Sequence, residues 1–417
     1  MSVSDTSTAL PAAVPAPRLT EAQLALALSL LLGLQPLTTD LYLPALPLLR
    51  HALGAGMAAA QLTMSALLLS FGLAQLLMGP LSDRFGRRPV LLGGLFLHAL
   101  AGVGVALAPD MATLILLRAV QGVGMAASVV CARAMVRDLY EPFEGAQVMS
   151  RGLFGLGVIA MLGPVLGGML AASLGWRAAM AAVALGGALT LLFVWRTLPE
   201  SLPSRNLQAL NAGPLARTTA EVLRHPGFRA WTALISTTYG GLIVLLAGSP
   251  FVYIGTLGLA PWAYGLVMAS ASGSYMLGTL ACRRLVPWRG LAGAVRIGGV
   301  MSLAGGLLML ACASPAQPPL AGVLVAHWLY VFGHGIHQPC GQAGAVGAFP
   351  QAAGLASALS GCILALVAFA IGLGMGRAMN GQLAPLAIGL ALASLAVIGV
   401  AFTLVRWHGE PRRIAAA

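Results

Sequence analysis

Twelve times along the chain an apolar run reaches about twenty residues, the length an α-helix needs to cross a hydrocarbon core of about 30 Å. The runs cover residues 23–48, 59–81, 89–108, 112–136, 147–172, 176–197, 229–252, 261–282, 294–313, 320–346, 353–376 and 382–405. The residues between them cannot cover a water-facing surface. Charged residues make up 8% of the 417, where a soluble domain carries roughly a quarter. In lipid, each backbone N–H and C=O must be satisfied within the chain, so runs of this kind form helices. The expected fold class is an all-α polytopic membrane protein of twelve transmembrane helices.

The net charge of +12 comes from 23 basic residues, all of them arginine. Their positions give topology and not a polyanionic partner. Arginines recur at every second connection: Arg84, Arg87 and Arg88, then Arg137 and Arg151, then Arg196 to Arg229, Arg283 to Arg296, and Arg406 to Arg413. The intervening connections hold only Arg50, Arg177 and Arg377. By the positive-inside bias both termini are expected in the cytoplasm, and no nucleic-acid partner is expected. The five scattered cysteines, an odd number, argue against a disulfide framework or a zinc site. The first 22 residues lack a signal-peptide core and read as a disordered cytoplasmic tail.

The longest polar interruption, Pro199 to Arg229, follows the sixth run. It divides the chain into an expected N-terminal six-helix bundle over 23–198, a cytoplasmic linker over 199–228, a C-terminal bundle over 229–405 and a cytoplasmic tail over 406–417. A weak repeat supports the division: GPLSDR (Gly79–Arg84) closes the second run and GTLACR (Gly278–Arg283) the eighth, with Cys282 in the place of Asp83. Two such halves around a site near the midplane is an arrangement shared by many alternating-access transporters.

Of eleven acidic residues, ten fall in the tail, the loops or at run ends. Asp40, in LTTDLYLPALPLL, is the exception. An ionised acid near a bilayer centre costs about 2.5–3.5 kcal/mol on insertion scales. One reading ends the first span early and solvates Asp40 at the far interface; the other makes it a protonatable group on a central aqueous cavity, which Leu41, Leu43, Leu46, Leu48 and Leu49 favour by continuing the apolar run. Arg118 is a second intramembrane charge, with Gln121 and Met125 on the same helical face. It is a candidate partner that tunes Asp40, or else an arginine snorkelling to the interface. Gln121, Met125, Tyr239 and His334 are candidate cavity-lining residues.

GPLSDRFGRRPVLL joins the second and third runs. Gly79 permits close helix approach and Gly86 a tight turn; Asp83 can accept hydrogen bonds from a helix N-terminus. Arg84, Arg87 and Arg88 can bridge to Asp138, Glu141 and Glu144, making a cytoplasmic latch. In the fifth run, GPVLGGML carries a kinking Pro164 and the small residues Gly163, Gly167 and Gly168 for close packing. His327, His334 and His337 share roughly one face of the tenth run: cavity-lining or satisfied histidines, a second titratable group, or a metal site.

These motifs together resemble the major facilitator superfamily from about Gln23 to Val405. GPLSDRFGRRP is similar to its signature loop between helices two and three, RAVQGVG (Arg118–Gly124) to its helix-four motif, and GPVLGG (Gly163–Gly168) to the helix-five motif of antiporters. TTDLYLPALP, GSPFVYI and FPQAAGLASALSG resemble the bicyclomycin/chloramphenicol resistance (Bcr/CflA) family. That resemblance implies two pseudo-symmetric six-helix bundles and proton-coupled efflux of small drugs across a bacterial inner membrane, with Asp40 and Arg118 in proton coupling. It further implies the proton gradient as energy source with no cofactor, membrane lipid as surroundings and a monomeric state. Helix one holds Gln35 and no second acid on the turns before Asp40, which tilts the expected range from cationic toward neutral compounds such as phenicols.

Two other classes remain. One is a transporter of a natural metabolite on the same fold; the other is a membrane receptor or enzyme. Against an enzyme, the chain has no lysine and so no P-loop lysine, and no HExxH; GLGMGR (Gly372–Arg377) sits inside an apolar run with no preceding strand.

Overall fold

The computed structural model describes residues 20–210, 212–314 and 318–409, so the tails expected over 1–22 and 406–417 lie largely outside the described residues. Among those residues the chain is helical throughout, with no strand. The helices are α1 (Glu21–Asp40), α2 (Leu46–Ala52), α3 (Met57–Phe85), α4 (Arg87–Leu107), α5 (Met111–Leu139), α6 (Pro142–Leu174), α7 (Trp176–Thr197), α8 (Ala212–Arg224), α9 (Pro226–Pro250), α10 (Pro261–Cys312), α11 (Leu320–Gly347), α12 (Ala353–Ala378), α13 (Leu383–Phe402) and α14 (Leu404–His408).

Eleven segments among the described residues are long and apolar enough to cross a membrane. One of them, α10, has 52 residues, which at 1.5 Å each is about 78 Å, more than twice the hydrocarbon core. It is broken at Gly290, whose φ of 70° and ψ of 176° only glycine adopts without strain. The two pieces make the eighth and ninth crossings, and the total is the twelve expected.

The first crossing combines α1 and α2, and its prolines explain the joint between them. Pro44 and Pro47 have no N–H to return to the carbonyls of Asp40 and Leu43. The regular helix therefore ends at Asp40, a 3₁₀ turn spans Leu43–Ala45, and α2 resumes beyond it. At the other end Thr20 and Gln23 form a reciprocal capping box, so α1 starts where its side chains can satisfy the first N–H groups.

Helices α1 and α3–α7 pack together as one six-helix bundle, and α9–α13, with α10 counted twice, as the other. The bundles meet along two seams, α3 with α12 and α6 with α10. Within the expected linker, α8 is a short helix lying against α9 and α12, a feature the hydropathy pattern did not reveal.

Candidate functional site

Site residues occupy four places: the interior of the first bundle, the bundle interface, the α3–α4 turn and the interior of the second bundle. In the first, Arg118 of α5 is fully buried. Its Nη1 donates to the Thr38 carbonyl at 3.1 Å and to Gln121 Oε1 at 2.9 Å, and its guanidinium lies 4.5 Å above the Tyr42 ring. Its Nε and Nη2 have no hydrogen-bond partner. Stacking on an aromatic face is one of the few ways to compensate a buried cation without an acid.

The network extends to α4 and α3. The Thr38 hydroxyl donates to the Leu34 carbonyl at 2.6 Å, so the His98 ring, 3.0 Å away, donates to it through Nε2. His98 Nδ1 is left without a partner. The Thr63 hydroxyl donates to the Ala60 carbonyl at 2.6 Å and accepts from the Tyr42 hydroxyl. Met125, like Gln121, is buried inside this bundle.

Asp40 is not part of that network. Its Oδ1 accepts from the Thr39 hydroxyl at 2.7 Å, and no ion pair joins it to Arg118 among the described residues. Helical phase is the reason: Leu41 and Tyr42 keep helical φ/ψ beyond the end of α1, so Tyr42 falls on the same face as Thr38, and a residue two positions from each points about half a turn away. The half-buried Asp40 carboxylate instead lies within electrostatic range of the Tyr239 and Tyr264 phenols of the second bundle.

The helix-five motif sits directly behind it. Gly163 and Gly167 of α6 face the backbone of Leu41, the residue after Asp40. Gly168 faces the backbone of Pro261 and Trp262 in α10, and the Pro164 carbonyl faces Gly265. One short stretch of α6 thus grips the Asp40–Leu41 turn of the first bundle on one side and the second bundle on the other. On the α3–α12 seam at the same end, Gly372 lies against Ser65, Gly376 against Ala58, and the Gln61 amide donates to the Ala247 carbonyl of α9. Small residues here let the backbones meet with no space between them.

Toward the end carrying Gly86 the bundles part around a cavity of about 110 Å³. Tyr239, Gln35, Gln75, Gln338, Gln342 and Arg133 provide its polar lining. Leu68, Phe71, Val129, Leu364 and Ala365 provide the apolar part. Its mouth is tied by Ser357 of α12, whose hydroxyl accepts from Arg133 Nη1 and Gln342 Nε2, each at 3.3 Å. A larger apolar groove, about 480 Å³ between α4 and α7, lies on the outer surface with Phe96 and Trp195 in its walls.

The α3–α4 turn is built around Arg87, which is 3% exposed. Its Nε donates to Asp138 at 2.8 Å, and its Nη1 donates to Asp83 and to Ser82 Oγ, the latter at 2.7 Å. Gly86 makes the turn at φ 107°. The carboxylate that receives the α4 N-terminus is Glu200, 113 positions from Arg87, accepting from the Arg87 and Arg88 N–H groups at 3.0 and 3.2 Å. Arg88 continues to the Leu198 and Trp195 carbonyls, and Arg84 lies over Phe85. Gly79 has open space beside it and its carbonyl accepts from Ser82. Among the described residues neither Glu141 nor Glu144 joins an ion pair here.

In the second bundle, Thr238 Oγ1 stands 3.1 Å from His334 Nδ1 and 3.2 Å from His337 Nδ1. His337 Nε2 donates to the Val295 carbonyl at 3.0 Å, and His327 reaches Tyr253 at 3.4 Å. The His334 ring lies beside those of Tyr239 and Tyr275. No cluster of three metal-ligating side chains occurs among the described residues. Cys282 and Cys340 bring their sulfurs within 3.3 Å as free thiols. Sequence reasoning missed His98, Glu200 and Arg133. A histidine in an apolar span is itself a signal; Glu200 and Arg133 looked like loop acid and positive-inside charge.

Comparison with known proteins agrees with this architecture. Residues 28–373 match the model of the Major Facilitator Superfamily. A chloramphenicol resistance protein of Pseudomonas aeruginosa is 30% identical over 341 residues, covering 81% of this chain and 80% of that protein. Multidrug resistance protein D of Escherichia coli is 27% identical over 81% of this chain and 84% of its own length. A bicyclomycin resistance protein homolog of Haemophilus influenzae is 26% identical over 84% and 87%. Among solved structures, a D-xylose-proton symporter superposes with a TM-score of 0.75 at 17% identity, covering 94% of this chain and 98% of that one, a likeness of fold. These motifs and matches identify a transporter and not an enzyme, and the chain belongs to the Major Facilitator Superfamily, in its bicyclomycin/chloramphenicol resistance family.

Proposed function

We propose that this protein exports small drug-like molecules across a bacterial inner membrane in exchange for protons, acting as a monomer by alternating access. The observation that carries the reading is the position of Asp40: it is one peptide from the Leu41 backbone gripped by α6, and α6 also holds the second bundle. A change of charge at Asp40 therefore acts on the joint that must open. The drug-resistance relatives support small-molecule efflux.

In this reading the arginine-rich end faces the cytoplasm, and substrate enters the central cavity past Arg133 and Ser357. Proton binding and release at Asp40, exposed alternately to the two sides, biases the two arrangements of the bundles. No cofactor takes part; the proton gradient supplies the work. Arg118 stays inside the first bundle as a fixed positive charge that orients the Thr38–Tyr42 turn.

The test is accumulation. Cells lacking their own pumps and expressing this chain should hold less chloramphenicol than control cells, and an uncoupler should abolish the difference. Equal accumulation with chloramphenicol, bicyclomycin and a cationic dye alike contradicts efflux.

A further inference from the structure

The cavity between the bundles has a charge character that the drug-efflux reading leaves open. Its lining contains one charged side chain, Arg133, and no carboxylate. Arg133 is in no ion pair among the described residues. Its guanidinium and the Gln342 amide, from α5 and α11, both point their N–H groups at the same neutral hydroxyl, Ser357 Oγ, at 3.3 Å. Arg137, one turn further along α5, comes within 3.6 Å of where a side chain on Gly354 would begin, adding a second positive charge at this mouth.

Two donors converging on one weak acceptor at long distance form an incomplete anion site. A carboxylate offers two charged oxygens in a plane, matched to the fork of an arginine and to an amide beside it. Behind this point the walls become apolar at Leu68, Phe71, Val129 and Leu364. The cavity of 110 Å³ is smaller than the usual roughly 300–1,000 Å³ ligand site, so occupation requires α12 to move from α5. Exchanging the Ser357 hydroxyl for a substrate oxyanion would release that tie.

We infer that the central cavity is selective for amphipathic organic anions, with Arg133 and Gln342 as the carboxylate anchor and the apolar wall taking the ring or chain behind it. This rests on the efflux reading only in taking the central cavity as the substrate site. Cations of the same shape meet Arg133 with no carboxylate among the lining residues, and like charge at such a site is disfavoured.

The test is competition against tritiated naphthylacetate on the purified full-length protein, using naphthylacetate, naphthylacetamide and naphthylethylammonium. Wild type should bind the carboxylate about tenfold to a hundredfold more tightly than the amide, the range of one charge-assisted hydrogen bond, and the ammonium most weakly. In Arg133→Gln the carboxylate-to-amide ratio should collapse toward one, and Arg133→Lys should restore part of it. Arg151→Gln, which removes an exposed arginine outside the cavity, should keep the wild-type ratio. Size-exclusion profiles and thermal unfolding establish that each variant is folded. Equal binding of the three probes, tighter binding of the ammonium, absence of saturable naphthylacetate binding to wild type, or an Arg133→Gln protein that keeps the preference overturns the inference. A protein that exports chloramphenicol without preferring the anion refutes this inference alone; one that prefers the anion but exports nothing refutes the efflux reading alone.

Discussion

Gly167 faces the backbone carbonyl of Leu41 so closely that a Cβ at position 167 would overlap that oxygen. The residue before Leu41 is Asp40, so the tightest point of the first bundle is one peptide from its intramembrane carboxylate. Gly168, the next residue of α6, closes on the backbone of Pro261 and Trp262 in the other bundle. The packing against the Asp40–Leu41 turn and the bundle seam share one turn of α6.

Alanine at two neighbouring glycines should therefore give different results. In Gly167→Ala the new methyl meets backbone that cannot move aside, and overpacking of this kind costs about 1–3 kcal/mol. Gly163→Ala meets its nearest atom, Leu41 N, at 3.7 Å, an ordinary contact. Thermal unfolding in detergent and chloramphenicol accumulation should show Gly167→Ala impaired in both and Gly163→Ala close to wild type. If the two variants behave alike, the α1–α6 packing is not as described.

The Arg87 cluster predicts a rescue. Asp138, 10% exposed, is paired with an arginine that is 3% exposed. Arg87→Gln strands that carboxylate, and breaking a buried pair from one side costs about 3–5 kcal/mol. The double variant Arg87→Gln/Asp138→Asn removes both charges and should regain much of the lost thermal stability. A double variant no more stable than Arg87→Gln would mean that the pair is not what the turn rests on.

Tyr42 should separate the two roles of its side chain. Tyr42→Phe keeps the face under Arg118 and loses only the hydroxyl bond to Thr63; Tyr42→Ala removes the face, worth about 2 kcal/mol when a cation is desolvated. Thermal unfolding should rank wild type, Tyr42→Phe and Tyr42→Ala in that order, with the larger step at alanine. The reverse ranking would show that the hydroxyl, and not the ring, holds the Arg118 region.

Much of this was legible in the sequence for a plain physical reason: lipid forces spans to be apolar, so Asp40 and Arg118 stand out against their own runs. Gly86 was legible because an arginine-rich tight turn between two apolar runs needs a residue free to take positive φ, and it does. The relation between Asp40 and Arg118 was not. Hydropathy gives the length of a span but not its rotation, and both residues lie on spans too uniformly apolar to show which face turns inward. Glu200 was hidden by distance along the chain, since capping α4 from 113 residues away depends on how α7 returns beside α4. Arg133 was hidden by its neighbourhood: four residues before Arg137 at a span end, it looks like topology charge until α12 places Ser357 against it.

Proton movement in everted membrane vesicles tests the central claim most directly. With the interior acidified by respiration, adding chloramphenicol should dissipate part of the pH gradient in wild-type vesicles. Asp40→Asn, folded and inserted at wild-type level, should show no such dissipation, and Asp40→Glu should retain some of it. Dissipation by Asp40→Asn equal to wild type would contradict the assignment of Asp40 as the coupling group.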